Sequence, residues 1–210
     1  MQVARKFPSD VAFSPAVKAV QERLGSRAAY ARMERGGGWE TEITEGLADF
    51  IGQQVSFYIA TSNAENQPYI QHRGGPKGFL RVLDPTTLAF ADFRGNRQYI
   101  SMGNLAENPK VHLFLMDYAN RSRVKIWGTC TVVEDDPALL AELTLPDYDA
   151  RVERAFVIRV SAWDANCPQH IPQRFEAGDA PRGAGATVEE ALARRDRRIA
   201  ELEAQLAALR

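Results

Sequence analysis

From Val55 onward the apolar residues of this chain stop recurring at helical spacing and begin to alternate. Seven runs read as strands: "VSFYIATSN", "PYIQHR", "FLRVLD", "LAFADF", "KVHLFLMDY", "RVKIWGTCTVVE" and "RAFVIRVSAWDA". The connections "AENQ", "PTT" and "ANRS" are turn-like and too short for a crossover helix. Two short helices interrupt the series, one within "GNRQYISMGNLAENP", beginning near Asn96 and ended by Pro109, and one in "DPALLAELT". Closely spaced strands with few crossover helices favour an antiparallel barrel over a doubly wound sheet. The expected class is mainly β (α+β), with peripheral helices around the barrel.

Before Val55 the pattern is helical. "SPAVKAVQERLG" offers Ser14 as an N-cap, Pro15 at the first helical position and Gly25 as a terminator. "YARMERGGGWE" carries three consecutive glycines and reads as a flexible connection. In "TEITEGLADFIGQQ", Ile43, Leu47, Phe50 and Ile51 recur at helical spacing, so a second helix is expected there. At the other end, "EAGDAPRGAGAT" is a linker by composition. Beyond it Val188, Leu192, Arg195, Ile199, Leu202, Leu206 and Leu209 form the heptad seam of an amphipathic helix. The organisation expected is a helical segment over 1–40, a barrel domain over 41–175, a linker over 176–187 and a coiled-coil-like helix over 188–210.

Charge bears on what such a barrel can bind. Lysine and arginine number 26 against 27 aspartates and glutamates, a net charge of -1. No general field attracts nucleic acid or a membrane surface, so any anion site has to be local. Two cysteines, Cys130 and Cys167, are far apart and give neither a zinc motif nor a disulfide framework. With no apolar signal core at the N-terminus and no span-length apolar run, a cytoplasmic protein is expected. His72, His112 and His170 lack acidic partners at metal-ligand spacing, and no metal is expected. His112, in a strand, reads as a core or interface residue. Neither a GxSxG elbow nor a phosphate-binding loop of the GxxxxGK[ST] type is present.

Two basic segments remain. "QHRGGPKG" closes one strand; "DFRGNRQYISMGN" runs from a strand end into a helix. Cations in the first turn of a helix oppose its dipole, so Arg94 and Arg97 there call for a reason, and a bound phosphate supplies one. Arg73 and Lys77 can approach from the neighbouring strand. Their side chains are expected on a solvated groove, not in the core.

The run from "PYIQHRGGPKGFLRVLD" through "GNRQYISMGNLAENPKVHLFLMD" to "RVKIWGTCTVV" resembles the pyridoxamine 5'-phosphate oxidase-like FMN-binding split barrels, and more narrowly their FMN-dependent branch. The resemblance covers about Ile43 to Phe175. It implies an antiparallel split barrel that is a homodimer, with FMN held between subunits. It implies phosphate-binding roles for Arg73, Lys77, Asn96, Arg97 and Gln98, and a flavin ring passing Gln71, His72 and the backbone of Gly74 and Gly75. Lys125 and Trp127 would face the cofactor groove or the dimer seam, and "NCPQHIPQRF" would close over the partner's flavin. That segment does not reproduce the Arg-Leu-His-Asp-Arg pattern with which true pyridoxamine phosphate oxidases grip their substrate, so that activity is not expected. The implied function is an FMN-dependent oxidoreductase acting on a small molecule, its catalytic residues unassigned. A flavin-binding or sensing module without turnover is the alternative, and haem or a deazaflavin is a third occupant known among such barrels.

Overall fold

All seven expected strands form, and they belong to one sheet. The structure, a computed structural model, describes residues 7–166 and 169–175, together with 192, 193, 195–197, 199 and 200 of the C-terminal segment. The strands are β1 (Ser56–Ser62), β2 (Pro68–Gly74), β3 (Leu80–Asp84), β4 (Thr87–Phe93), β5 (Lys110–Asp117), β6 (Ser122–Val133) and β7 (Val152–Asn166). Their order is β2-β1-β5-β6-β7-β4-β3, every neighbour antiparallel. Among the described residues no ladder joins the edge strands β2 and β3, so the sheet is not closed. It curls until its two ends meet through side chains. Phe57 of β1 stands edge-on to Phe90 of β4 at 5.2 Å, and Arg73 of β2 reaches Asp92 of β4.

The curl needs a bend in the long β6–β7 pair, and the register shifts there between Trp127 and Gly128. A Cβ at Gly128 would lie 2.4 Å from the Arg159 carbonyl oxygen, so only glycine fits. The concave face buries Phe57, Ile59, Leu88, Phe90, Leu113, Leu115, Ile126, Phe156 and Ile158 in one cluster. Their two-residue spacing along each strand is the alternation seen in the sequence.

Helices fill the margins. α1 (Pro15–Arg23) starts where expected, with the Ser14 hydroxyl accepting the Val17 N–H at 3.3 Å. α3 (Glu45–Gly52) is capped by Thr44, whose hydroxyl accepts the Leu47 N–H, and it sends Leu47 and Ile51 into the core. α4 (Ile100–Glu107) contributes Leu105. α5 (Pro137–Leu143) is capped by Asp136 and packs Leu143 against Ala89, Ala91 and Ala155 on the convex side of β4 and β7.

Two local expectations are corrected. "RAAYARMER" forms a helix, α2 (Arg27–Arg35), which takes in the "YARMER" part of the expected flexible connection. The residues are mostly good helix formers. The glycines after it end the helix in a turn, Gly37 and Gly38 taking φ of +113° and +63°. Inside α2, Glu34 is buried and held by Ser9, Lys18 and Arg27. The second correction concerns α4, which begins at Ile100 and not near Asn96. Arg97 and Tyr99 adopt φ of 62° and 54°, a left-handed geometry no right-handed helix can run through. Arg97 and Gln98 therefore sit in a loop before the helix.

The chain divides into two compact units, Met1–Asp117 with Arg121–Ile171, and Tyr118–Asn120 with Pro172–Arg210. In the second, the Arg174 N–H donates to the Tyr118 carbonyl at 3.3 Å, and its guanidinium lies 5.0 Å from the Tyr118 ring. The linker expected over 176–187 lies outside the described residues, as do Val188, Leu202, Leu206 and Leu209 of the heptad seam. The described residues between 192 and 200 are helical, with Leu192 and Ile199 exposed. Among the described residues no helix is long and apolar enough to cross a membrane.

Candidate functional site

Alternation along β2 sends Tyr69, Gln71 and Arg73 to one side and Ile70 and His72 to the other. The first set forms one wall of a cleft. The end of β4 (Asp92, Phe93), the 94–99 loop, the first turn of α4 and Glu153 of β7 complete it. The loop is anchored at its start, where the Arg94 N–H donates to the Arg151 carbonyl at 2.9 Å. Across the cleft the Ser101 hydroxyl donates to the Gln71 side-chain carbonyl at 2.7 Å, tying α4 to β2.

The floor is an ion network. Asp92 accepts from Arg73 at 2.5 Å through one carboxylate oxygen and from Arg154 at 3.0 Å through the other. Arg154 also meets Glu153 at 3.2 Å, lies 5.2 Å from the Tyr99 ring and donates to the Met102 sulfur at 2.9 Å. Burial works against the charge of Arg154, but Asp92, the Tyr99 hydrogen bond and the two neighbouring glutamates outweigh it and raise its pKa. Arg73 is backed by aromatic rings, 5.5 Å from Phe90 and 5.0 Å from Phe156. Its Nε is buried with no hydrogen-bond partner among the described residues. A solvated Arg73 was expected. The structure corrects this: its side chain is 15% exposed and clamped to Asp92, since a guanidinium over the core cannot stay unpaired.

The loop is different in kind. Asn96, Arg97 and Gln98 are exposed; the Gln98 N–H donates to the Asn96 side chain at 3.3 Å, and Arg97 Nε donates to the Tyr99 hydroxyl at 3.0 Å. Arg97 has no carboxylate partner among the described residues. One cleft thus offers a fixed guanidinium and a free one.

Of the nine residues singled out in the sequence, Gln71, Arg73, Asn96, Arg97 and Gln98 line this cleft. His72, Gly74, Lys77 and Lys125 do not. His72 is exposed on the other face of β2, edge-on to Tyr58 at 5.6 Å. Lys77 is exposed in the turn after β2. Lys125 pairs with Asp164 at 2.8 Å, its ammonium 5.5 Å from the Trp39 ring and 5.4 Å from the Trp127 ring, in a separate cleft. The glycines have reasons internal to the chain. A Cβ at Gly75 would meet the Phe79 side chain at 2.8 Å, and one at Gly74 the His72 ring at 3.2 Å. In "NCPQHIPQRF", Cys167 and Pro168 lie outside the described residues, and Ile171 is buried.

Sequence reasoning missed Asp92, Tyr99, Ser101, Glu153 and Arg154. The signal for Asp92 was an acid inside the otherwise apolar strand "LAFADF", which requires a buried cation nearby. The thiol of Cys130 is pushed up to about 12 by burial and is not a nucleophile at neutral pH.

The cleft encloses about 60 Å³. Sites for whole small-molecule ligands run to roughly 300–1,000 Å³. The space in this cleft is that of a phosphate-sized group. The guanidiniums of Arg73 and Arg97, which both line it, fit an anion of that size.

Residues 43–171 match the family model described as pyridoxamine 5'-phosphate oxidase. No curated protein matches the sequence. Among solved structures, similarity is found to HupZ of Group A Streptococcus, at 21% identity over 63% of this chain and 99% of that one, with a TM-score of 0.47. A putative pyridoxamine 5'-phosphate oxidase from Lactobacillus delbrueckii is 22% identical over 60% of this chain and 95% of that one, with a TM-score of 0.45. An FMN-binding protein from Syntrophomonas wolfei is 10% identical over 72% and 97%, also at 0.45.

Proposed function

The chain belongs to the pyridoxamine 5'-phosphate oxidase family, and from that premise we propose that it is a flavoprotein holding FMN by its phosphate in the cleft beneath the 94–99 loop. The observation that carries this reading is a phosphate-sized space lined by two guanidiniums, Arg73 held by Asp92 and Arg97 without a carboxylate partner among the described residues. Asp92 holds one end of the Arg73 guanidinium and so fixes the orientation of the rest. A guanidinium carries five donors, and a bound phosphate accepts from those Asp92 leaves over. Arg97 swings from Tyr99 to close on the same group. The Ser101–Gln71 bond keeps α4 against β2 and the cleft at its width.

FMN, when bound, supplies hydride or electron transfer at its ring, and the protein's part is position and electrostatics. The substrate is a small molecule. Pyridoxamine phosphate is a poor candidate, because the Arg-Leu-His-Asp-Arg segment is missing from the sequence. A second copy of the chain covers the ring in this reading. The convex face of β1 and β2 suits that role: Ile70 is 66% exposed and Tyr58 41%, beside His72. A flavin-binding module without turnover is favoured by one observation, that both carboxylates of the cleft are already engaged by arginines, so neither is a ready proton carrier.

The test is the full chain as purified. Its absorption spectrum should be that of a flavin, denaturation should release FMN and not FAD, and light scattering should give a dimer. A haem spectrum, or a protein that takes up no FMN on titration, would overturn the reading. Oxidation of NAD(P)H by the loaded protein with an acceptor present separates an oxidoreductase from a module without turnover.

A further inference from the structure

A second cleft lies on the convex side of the sheet, in the same unit as the first. It encloses about 400 Å³, within the range of small-molecule sites. Phe13, Tyr30, Met33 and Trp39 of the N-terminal segment form its walls, and Lys125 and Asp164, cross-strand neighbours on β6 and β7, line it from the sheet.

The walls are aromatic and already ordered. Trp39 stacks on Trp127 with centroids 4.6 Å apart and planes at 14°, and Phe13 meets Trp39 at 5.1 Å and Tyr30 at 5.3 Å. The segment bearing Trp39 is pinned to β7. The Trp163 N–H donates to the Glu40 carbonyl at 2.9 Å, and its indole N–H to the Glu42 carbonyl at 2.8 Å.

Among the described residues the charged side chains lining the cleft are one cation beside one anion. Lys125 Nζ lies 2.8 Å from Asp164 and over both indoles, at 5.5 Å from Trp39 and 5.4 Å from Trp127. That ammonium already occupies the cation-attracting ring faces, which disfavours a cationic ligand. Asp164 disfavours an anionic one. The ammonium donates and the carboxylate accepts side by side, which matches the C=O and N–H edge of an amide. We infer that this second cleft binds a neutral planar ring bearing a carboxamide or lactam edge, the ring against the exposed Tyr30 and the edge on Lys125 and Asp164. The inference is independent of whether the first cleft holds FMN.

Benzamide and benzoate are the probes, their binding to the full-length protein followed by ligand-observed NMR. Benzamide should bind saturably and about tenfold or more tighter than benzoate. Asp164→Asn leaves Lys125 uncompensated and should reverse that preference. Tyr30→Ala, at a residue 41% exposed whose loss leaves the core intact, should weaken benzamide about tenfold, with circular dichroism as the check on folding. Saturating FMN and Arg97→Ala should leave benzamide binding unchanged. Absence of saturable binding, an unchanged preference in Asp164→Asn, or displacement of benzamide by FMN would each overturn the inference, the last by making this cleft part of the flavin site.

Discussion

The two walls of the phosphate-sized cleft carry the same kind of residue in opposite states. On the β2 wall, Arg73 is clamped to Asp92 over the rings of Phe90 and Phe156. On the loop wall, Arg97 is exposed, donates to the Tyr99 hydroxyl and has no carboxylate in salt-bridge contact among the described residues. The first arginine is paired and oriented before any ligand arrives, so the fold depends on it. The second is free to move, and the fold is indifferent to it. In the proposed phosphate seat this divides orientation from capture: the fixed guanidinium would define where the anion sits, and the free one would supply a contact that forms only on binding.

The largest effect should come from the carboxylate that makes the difference between the walls. Asp92→Ala leaves Arg73 and the buried Arg154 without their shared partner, and removing one member of a buried ion network costs about 3–5 kcal/mol. Urea denaturation should show that loss; a change under about 1 kcal/mol would mean the network is solvated and the two walls are alike. Arg73→Ala comes next. It should cost about 1–3 kcal/mol of stability and weaken FMN binding ten- to a hundredfold, because it removes an anion partner and strands part of Asp92 together. Arg97→Ala should separate the two effects, with stability within about 0.5 kcal/mol of wild type and FMN binding weakened about tenfold. Lys77→Ala, outside the cleft, should change neither.

The smallest effect lies away from both walls and serves as their control. His112 has its pKa lowered, first by burial and then by Lys125. A base with a depressed folded pKa favours the neutral state on folding. Its contribution is therefore fully present above the ordinary histidine range, near 6.5, and is lost as pH falls through the folded pKa. His112→Gln should flatten that acid-side decline in a stability-against-pH curve and leave FMN affinity at neutral pH untouched. A decline of the same depth in the variant would assign it to the carboxylates of the arginine network instead.

The strands were legible because each buries one face, and period two survives wherever that holds. The capping residue Ser14 was legible from its local pattern, whereas the Thr44 cap of α3 was not singled out. What local pattern could not give was the state of each arginine. Arg73 and Arg97 look alike in "HRGG" and "GNRQ"; only the curl of the sheet brings Asp92, 19 positions further along, to the first and leaves the second in solvent. The same limit explains α4. "GNRQYISM" reads as a helix start because nothing in its composition announces the left-handed backbone at Arg97 and Tyr99. The Trp39–Trp127 stack was beyond reach for the opposite reason, since the glycines before Trp39 suggested looseness where the structure has a turn.

The most direct measurement of the central claim is the ratio of FMN to riboflavin affinity, taken by flavin fluorescence on the flavin-free protein and on Arg97→Ala. The two ligands share the ring and differ in the phosphate. If the cleft is a phosphate seat, the full-length protein should prefer FMN by about a hundredfold or more, and Arg97→Ala should cut that preference about tenfold while leaving riboflavin binding where it was. Equal affinities for the two, or a preference that Arg97→Ala leaves intact, would contradict the account.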